Sequence, residues 1–263
     1  MELAKMSDID SDLVQIVEDT RPGCRKTLWQ ATVLTLFPEM FPGPLRHSLA
    51  GKSLNDGIWT LKTLDIRDFA RDKHRNVDAA PLGGGVGLVL RPDVVAAALK
   101  AAASCPGPRI YLSPRGQLLD QSLVRTLAAE PGAVLLCGRY EGIDQRVIDT
   151  ANMMEVSVGD YVLSGGETAA MTLMDAVIRL LPGVIGKEAG HREESFEMGL
   201  LEHSHFTQPR IWNGIEAPDI LASGHHRRIA EWRKAEAEKE TQIRRPDMWQ
   251  RYVARQQLHK GRT

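Results

Sequence analysis

Cysteine is scarce in this chain of 263 residues, with only Cys24, Cys105 and Cys137. An odd, widely spaced set fits neither a disulfide framework nor a zinc cluster, so a reducing cytosol is the expected compartment. Long apolar runs are missing too: the greasiest stretches, such as 134–137, are of strand length, far below the ~18 residues a membrane helix needs. The opening segment is acidic and has no apolar h-region, so it does not read as a secretory signal. There is no excess charge of either sign, with 33 Lys and Arg against 34 Asp and Glu, and no internal repeat or low-complexity tract. What is present, 43% hydrophobic and 25% charged residues, is ordinary for a soluble globular protein. At roughly 100–200 residues per domain the chain holds one large or two modest domains, and roughly three quarters of its unfolded surface can be buried.

The neutral total hides a gradient. In residues 1–20 Lys5 stands alone against Glu2, Asp8, Asp10, Asp12, Glu18 and Asp19, a net charge of −5. Residues 205–263 carry twelve Lys and Arg against seven Asp and Glu, a net of +5. That asymmetry fits a basic face for a polyanion, and equally a solvated helical face.

Punctuation by Pro and Gly sets the organisation. Residues 1–27 lack periodicity and read as a poorly ordered extension. Strands are expected at 32–37 and 58–66, with a polar, Gly-bearing stretch between them and loops over 67–88. Then the pattern alternates: helix 93–103 behind Pro92, strand 109–112, helix 120–129, strand 134–137, helix 145–150, strand 153–158 and helix 167–181 before Pro182-Gly183. Such alternation predicts an α/β fold with a mostly parallel sheet. A polar span through residue 199 reads as a linker, and residues 220–263 read as helical and basic.

Three of the strands run into turn-forming loops, 111–116, 137–144 and 157–167. Ligands of open α/β sheets bind outside the carboxyl ends of the strands. Glycine there lets backbone N–H and C=O groups approach a ligand, which suits the hydrogen-bonding edge of a purine. Three such loops in succession, with Arg139, Glu141, Asp144, Asp160 and Glu167 among them, favour a site over simple turns. Several motifs are excluded. The Gly83-Gly84-Gly85-Val86-Gly87 run lacks the Gly-Lys-Ser/Thr of a P-loop, and Leu88 breaks a dinucleotide fingerprint. It is either a mobile clamp or a plain turn. There is no Gly-x-Ser-x-Gly elbow. His225 and His226 are adjacent and point apart on a helix, so they cap or touch phosphate rather than bind metal. Trp232 and Trp249 read as core anchors, and Arg244 and Arg245 as a solvated pair or a phosphate contact.

Together Leu36-Phe37-Pro38-Glu39-Met40-Phe41, the 83–87 loop, Tyr111-Leu112-Ser113-Pro114, Gly138-Arg139-Tyr140-Glu141-Gly142-Ile143-Asp144 and Gly159-Asp160-Tyr161-Val162-Leu163-Ser164-Gly165-Gly166-Glu167 resemble the bacterial tRNA (guanine-N(1)-)-methyltransferase family, of the SPOUT class of trefoil-knot methyltransferases. Ser223-Gly224-His225 and Ile229…Trp232-Arg233 are similar to its C-terminal domain, and the likeness runs from about residue 34 to 247. The resemblance implies a trefoil knot in the sheet domain, a homodimer with shared active sites, and methyl transfer from S-adenosylmethionine to guanine N(1) of the nucleotide 3′ of the tRNA anticodon. It assigns cofactor binding to Tyr111, Leu112, Gly138, Ser157, Val158, Gly159, Asp160, Tyr161, Val162, Leu163, Gly165 and Gly166. Asp78 and the 83–87 loop, with Gly84, match the family's region cradling the target guanine; Arg139 and Glu141 from the glycine-bearing loops, and His225, Arg244 and Arg245 from the basic segment, are the further expected contacts to the anticodon stem-loop. Arg179 matches the arginine facing guanine O6. Magnesium is a requirement reported for the family, but no residue set here marks a metal cage.

The implied division is an extension over 1–27, a knotted α/β domain over 28–186, a linker over 187–199 and a helical, basic tRNA-binding domain over 200–263. Three departures stand out. Gly165-Gly166-Glu167-Thr168-Ala169-Ala170-Met171 lacks the family's proline, and Leu82 and Val86 replace a common aromatic and a common proline. Where the family has Glu-Asp-Ser-Phe with Asp as general base, this chain reads Arg192-Glu193-Glu194-Ser195-Phe196, which makes Glu194, or else Glu193, the expected base. The alternatives are a SPOUT-class enzyme acting on rRNA or ribose, and a non-catalytic RNA-binding protein.

Overall fold

A computed structural model describes residues 29–185, 194–196 and 198–260. The extension over 1–27, Cys24, Glu193 and most of the expected linker lie outside the described residues. In chain order the elements are β1 (Trp29–Thr35), α1 (Ser48–Asn55), β2 (Trp59–Asp65), β3 (Asp78–Ala79), β4 (Val89–Leu90), α2 (Pro92–Ala101), β5 (Arg109–Leu118), α3 (Gln121–Ala129), β6 (Gly132–Cys137), α4 (Gln145–Thr150), β7 (Met154–Ser157), α5 (Gly166–Ile178), β8 (Ile211–Trp212), β9 (Ile215–Glu216), α6 (His226–Arg244) and α7 (Pro246–Lys260).

Five of the strands form one sheet in the order β2-β1-β6-β5-β7, and every pairing in it is parallel. Parallel strands need crossovers that cover both faces, so their sequences lose polar alternation. That is the reason β6, Gly-Ala-Val-Leu-Leu-Cys, is buried at every position. Successive side chains still go to opposite faces. Ala133, Leu135 and Cys137 join Ala31 and Val33 in the layer under α3 and α5, whereas Val134 and Leu136 join Leu34 in the layer under α2 and α4. The two large indoles in the first layer satisfy their N–H groups on backbone: Trp29 donates to the Leu127 carbonyl at 3.0 Å and Trp59 to that of Ala50 at 2.9 Å.

Pro92 occupies the first turn of α2, and the Asp120 carboxylate caps α3 by accepting from the Leu123 N–H at 2.8 Å. The expected strands and helices over 32–181 are present with ends moved by up to six residues. β1 and β2 stop at Thr35 and Asp65 and are followed by short 3-10 turns rather than running to 37 and 66. The 109–112 strand is longer, because β5 resumes after a register shift between Leu112 and Gln117. Residues 48–55, expected as a polar stretch, form α1. Residues 220–260 are mostly helical as expected, in two helices: a 3-10 turn at Asp219–Ala222 precedes α6, and Pro246, unable to donate into a continuing helix, starts α7. Trp232 and Trp249 are half-exposed, not core anchors, and Trp249 stacks on Tyr252 with ring centroids 5.6 Å apart. No helix among the described residues is long and apolar enough to cross a membrane.

The sheet core predicts its own sensitivity. Leu135 has no exposed surface and lies in the middle strand, so Leu135→Ala is expected to lower the unfolding free energy by about 2–5 kcal/mol in urea titrations. A loss under 1 kcal/mol would mean that the layer collapses around the hole.

Candidate active site

The carboxyl ends of β5, β6 and β7 surround a cavity of about 320 Å³, within the usual size of a small-ligand pocket. Its first wall comes from the interruption in β5. Leu112 and Gln117 both register with Val156, so residues 113–116 loop out and carry Ser113, Pro114 and Arg115 to the cavity. Bulges of this kind re-aim side chains beside functional sites.

The second wall is the loop after β6. Gly142 holds φ +116°, and a Cβ there would stand 3.0 Å from the Tyr111 hydroxyl, so the turn requires glycine. This loop is tied to β4: the Glu141 N–H donates to the Leu88 carbonyl and the Leu90 N–H to that of Gly142, both at 2.9 Å. Tyr140 stands beside Asp78 of β3, and burial, with the Asp78 carboxylate, pushes its phenol pKa up. The Tyr111 phenol is raised likewise, chiefly by burial and then by Glu155.

The third wall is the loop after β7, braced from within. Ser157 Oγ lies 3.0 Å from the Gly159 carbonyl and accepts from the Gly159 N–H at 3.2 Å, and the Tyr161 N–H donates to Gly159 O at 2.9 Å. At its end the chain runs antiparallel beside Arg139, and the Gly166 N–H donates to the Gly138 carbonyl at 2.9 Å. A Cβ on Gly166 would sit 2.8 Å from Cys137 Cα, so only glycine lets α5 start this close to β6.

Below the cavity lies a buried charge. Glu167, in the first turn of α5, is 1% exposed. Its Oε1 accepts from the Thr35 hydroxyl at 2.7 Å, and its Oε2 is 2.9 Å from Arg139 Nε, an ion pair without an aligned hydrogen bond. The Arg139 guanidinium lies over the Phe37 ring, 4.3 Å from its centroid. One carboxylate thus links the end of β1, the loop after β6 and the N-terminus of α5. Beside it the Cys137 thiol, fully buried, has its pKa pushed well up by desolvation, then by Glu167.

Of the residues the resemblance assigns to the methyl donor, Tyr111, Leu112, Gly138, Ser157, Val158, Gly159, Tyr161, Val162, Leu163, Gly165 and Gly166 line this cavity, as do Arg139 and Glu141. Asp160 is exposed and does not line it. Asp78 stands behind Tyr140, and Gly84 sits in an exposed turn. Arg179 and Glu194 lie off the cavity lining and meet each other: one guanidinium nitrogen is 2.8 Å and 2.9 Å from the two carboxylate oxygens. His225 precedes α6, with its N–H on Ser223 Oγ at 3.2 Å. Arg244 pairs with Glu240, and Arg245 with Asp247 at 2.8 Å, which holds the Asp247 carboxyl down to about 2. In the sequence Glu167 stands out only as a loop acid and the first residue of an expected helix, and neither Arg115 nor Ala169 stands out. The signal for Glu167 was an acidic residue directly behind two glycines at a helix start, a position that favours a carboxylate.

The family model described as tRNA (Guanine-1)-methyltransferase TrmD matches residues 29–251. The chain is 59% identical over 233 residues to the tRNA (guanine-N(1)-)-methyltransferase of Rhodospirillum rubrum, which covers 88% of this chain and 98% of that one. It is 59% identical over 226 residues to the protein of the same name from Chelativorans sp., covering 85% and 96%. With that of Ruegeria pomeroyi the identity is 54% over 230 residues, 86% of this chain and 95% of the relative.

Removing one partner of a buried ion pair strands the other, so Glu167→Ala is expected to destabilise the chain by about 3–5 kcal/mol in urea unfolding. Glu167→Gln, which still accepts from Thr35, should lose less. Equal losses for the two variants would assign the stability to the charge alone, and no loss in Glu167→Gln would assign it to the Thr35 hydrogen bond instead.

Proposed function

This chain belongs to the tRNA (guanine-1)-methyltransferase family, and from that premise we propose that it transfers the methyl group of S-adenosylmethionine to N(1) of the guanine 3′ of a tRNA anticodon. The glycine-lined cavity at the ends of β5, β6 and β7 carries this reading: eleven of the twelve residues matched to the cofactor loops line it. Backbone groups around Gly138, Gly159, Gly165 and Gly166 offer donors and acceptors to an adenine edge without side-chain bulk, and the Tyr111 ring adds an apolar surface. When bound there, S-adenosylmethionine supplies an electrophilic methyl on a sulfonium, whose leaving thioether is neutral and needs no acid.

The acceptor sets the demand on this chain's residues. Guanine N(1) carries a proton and becomes nucleophilic only as that proton leaves and negative charge gathers on O6. A carboxylate beside N(1) and a guanidinium beside O6 meet that demand. Glu194 takes the proton and Arg179 faces O6. Their contact at 2.8–2.9 Å within one chain supports the assignment, since adjacent edge atoms of one base need the two groups side by side. The base edge is out of reach in a stacked loop, so the guanine is unstacked on binding.

The same reading extends to a trefoil knot in the sheet domain, a homodimer, a C-terminal basic helical unit that holds the anticodon stem-loop, and a cytoplasmic location. Leu82, Val86 and Val162 support the dimer: these apolar side chains of the 82–87 loop and the loop after β7 are 92%, 94% and 86% exposed, as expected of surface that a second copy covers. The relatives' names favour neither an rRNA or ribose methyltransferase nor a non-catalytic binding protein.

Nucleoside mass spectrometry of tRNA after incubation with enzyme and donor should detect 1-methylguanosine; its absence would end the reading. Glu194→Gln should slow single-turnover transfer by about 10²–10⁴-fold with donor affinity by calorimetry almost unchanged, and Glu193→Gln should be much milder. Full rates in Glu194→Gln would remove Glu194 as base. Arg244→Ala or Arg245→Ala should lower the log–log salt slope of tRNA binding by about one unit each; an unchanged slope in both would place the RNA elsewhere.

A further inference from the structure

We infer that Glu202, His203 and His205 form a binding site for a borderline divalent cation of the zinc type. Among the described residues they are the one cluster of three metal-ligating side chains, with one donor atom from each within 4.8 Å of the others. Glu202 Oε1 and His205 Nε2 are 3.0 Å apart. Two ligands of one tetrahedral ion, each about 2.0–2.1 Å from it, stand roughly 3.3 Å apart, so this pair is already close to the spacing the ion requires. The rings of His203 and His205 lie 4.7 Å apart. His203 and His205 thus lie side by side, unlike the adjacent His225 and His226 at the start of α6.

A second, independent observation concerns the outer partner. His203 Nδ1 is 3.0 Å from the Ser204 carbonyl oxygen. In the tautomer that donates to this carbonyl from Nδ1, Nε2 keeps a lone pair for an ion. A ring nitrogen anchored on a carbonyl while the other stays free to ligate is the usual outer shell of a metal-bound imidazole. The Trp232 ring of α6, 6.2 Å from both His203 and Phe206, gives the cluster one apolar flank, while exposed His205 leaves the other side open to solvent. Two neutral nitrogens and one carboxylate suit zinc and its neighbours; magnesium prefers an all-oxygen octahedron.

The location gives such an ion a mechanical consequence. The Glu202 N–H donates to Ser195 Oγ at 2.9 Å, directly beside Glu194, and the Leu201 N–H donates to Thr241 Oγ1 of α6 at 2.8 Å. An ion held by Glu202, His203 and His205 would stiffen the short segment that these two hydrogen bonds tie to Ser195 and to α6. The ion site itself does not depend on the methyltransferase reading.

The competing account is a surface Glu202–His205 ion pair with nothing bound, a contact that contributes little. Untagged full-length chain, stripped by a chelator, is titrated with Co²⁺ while visible absorption is recorded, then with Zn²⁺ by calorimetry. The expected result is one ion per chain, a low-coordinate cobalt spectrum, and displacement of cobalt by zinc. Glu202→Gln and His203→Ala should each weaken binding at least about 10-fold, and His226→Ala should leave the isotherm as it was. An unchanged isotherm in the folded Glu202→Gln/His203→Ala/His205→Ala variant, or no saturable binding to the parent chain, would overturn the site.

Discussion

Glu167 is the point from which the arrangement of the cavity follows. A carboxylate at 1% exposure bears a large desolvation cost, and three features offset it together. The Thr35 hydroxyl donates at 2.7 Å, the Arg139 guanidinium stands at 2.9 Å, and the position lies in the positive first turn of α5. None of these partners is near in sequence, Thr35 being 132 residues away. Satisfying one buried charge therefore fixes the mutual position of β1, the loop after β6 and the start of α5. With α5 held there, Gly166 must lie against Cys137, and the loop after β7 must pass along Arg139. The cavity is the space left between backbones brought this close, which is the reason so much of its lining is glycine.

Parts of this were legible in the chain. Continuous apolar β6 announced a strand buried on both faces, and the Pro and Gly stops announced α2, α3 and the end of α5. The site was legible as three glycine-bearing loops because turn chemistry is local and each loop follows its own strand. What escaped was weakly periodic or long-range. Helix α1 is polar, and the residues it buries are the small Ala50, Gly51 and Ser53, so it carries no apolar stripe. The ladders β3–β4 and β8–β9 have two residues a side, too few for any period to show. β5 hid its second half behind Pro114 and Gly116, which read as a turn and prove to be an excursion within one strand. Arg179 and Glu194 were marked only by resemblance, since nothing local says that a helix-ending arginine will meet a carboxylate fifteen residues on.

The charge gradient illustrates how far composition reaches. A net of +5 over residues 205–263 suggests a strongly positive face, yet much of that charge is spoken for on the folded helices. Arg227 pairs with Glu231 at 3.2 Å, Lys239 with Glu236 at 3.3 Å, Arg244 with Glu240, and Arg245 and Arg251 with Asp247 at 2.8 and 2.9 Å. The cations of these pairs are exposed, although Glu236 and Glu240 are mostly covered, and surface pairs of this kind contribute little. A phosphate approaching Arg244 or Arg245 would replace one partner with another rather than meet a bare cation. Exchange at Arg245 costs little, because the half-exposed Asp247 returns to water, and it retains the gain from counterions released by the nucleic acid. It also sets a geometric filter. A guanidinium held by its helix partner before the exchange is already ordered in one direction, so a backbone whose phosphates follow that direction is accepted with less side-chain entropy lost than a flexible lysine tail would require. On the proposed reading, pairing along α6 and α7 makes the basic helices selective for a shaped RNA over polyanions in general.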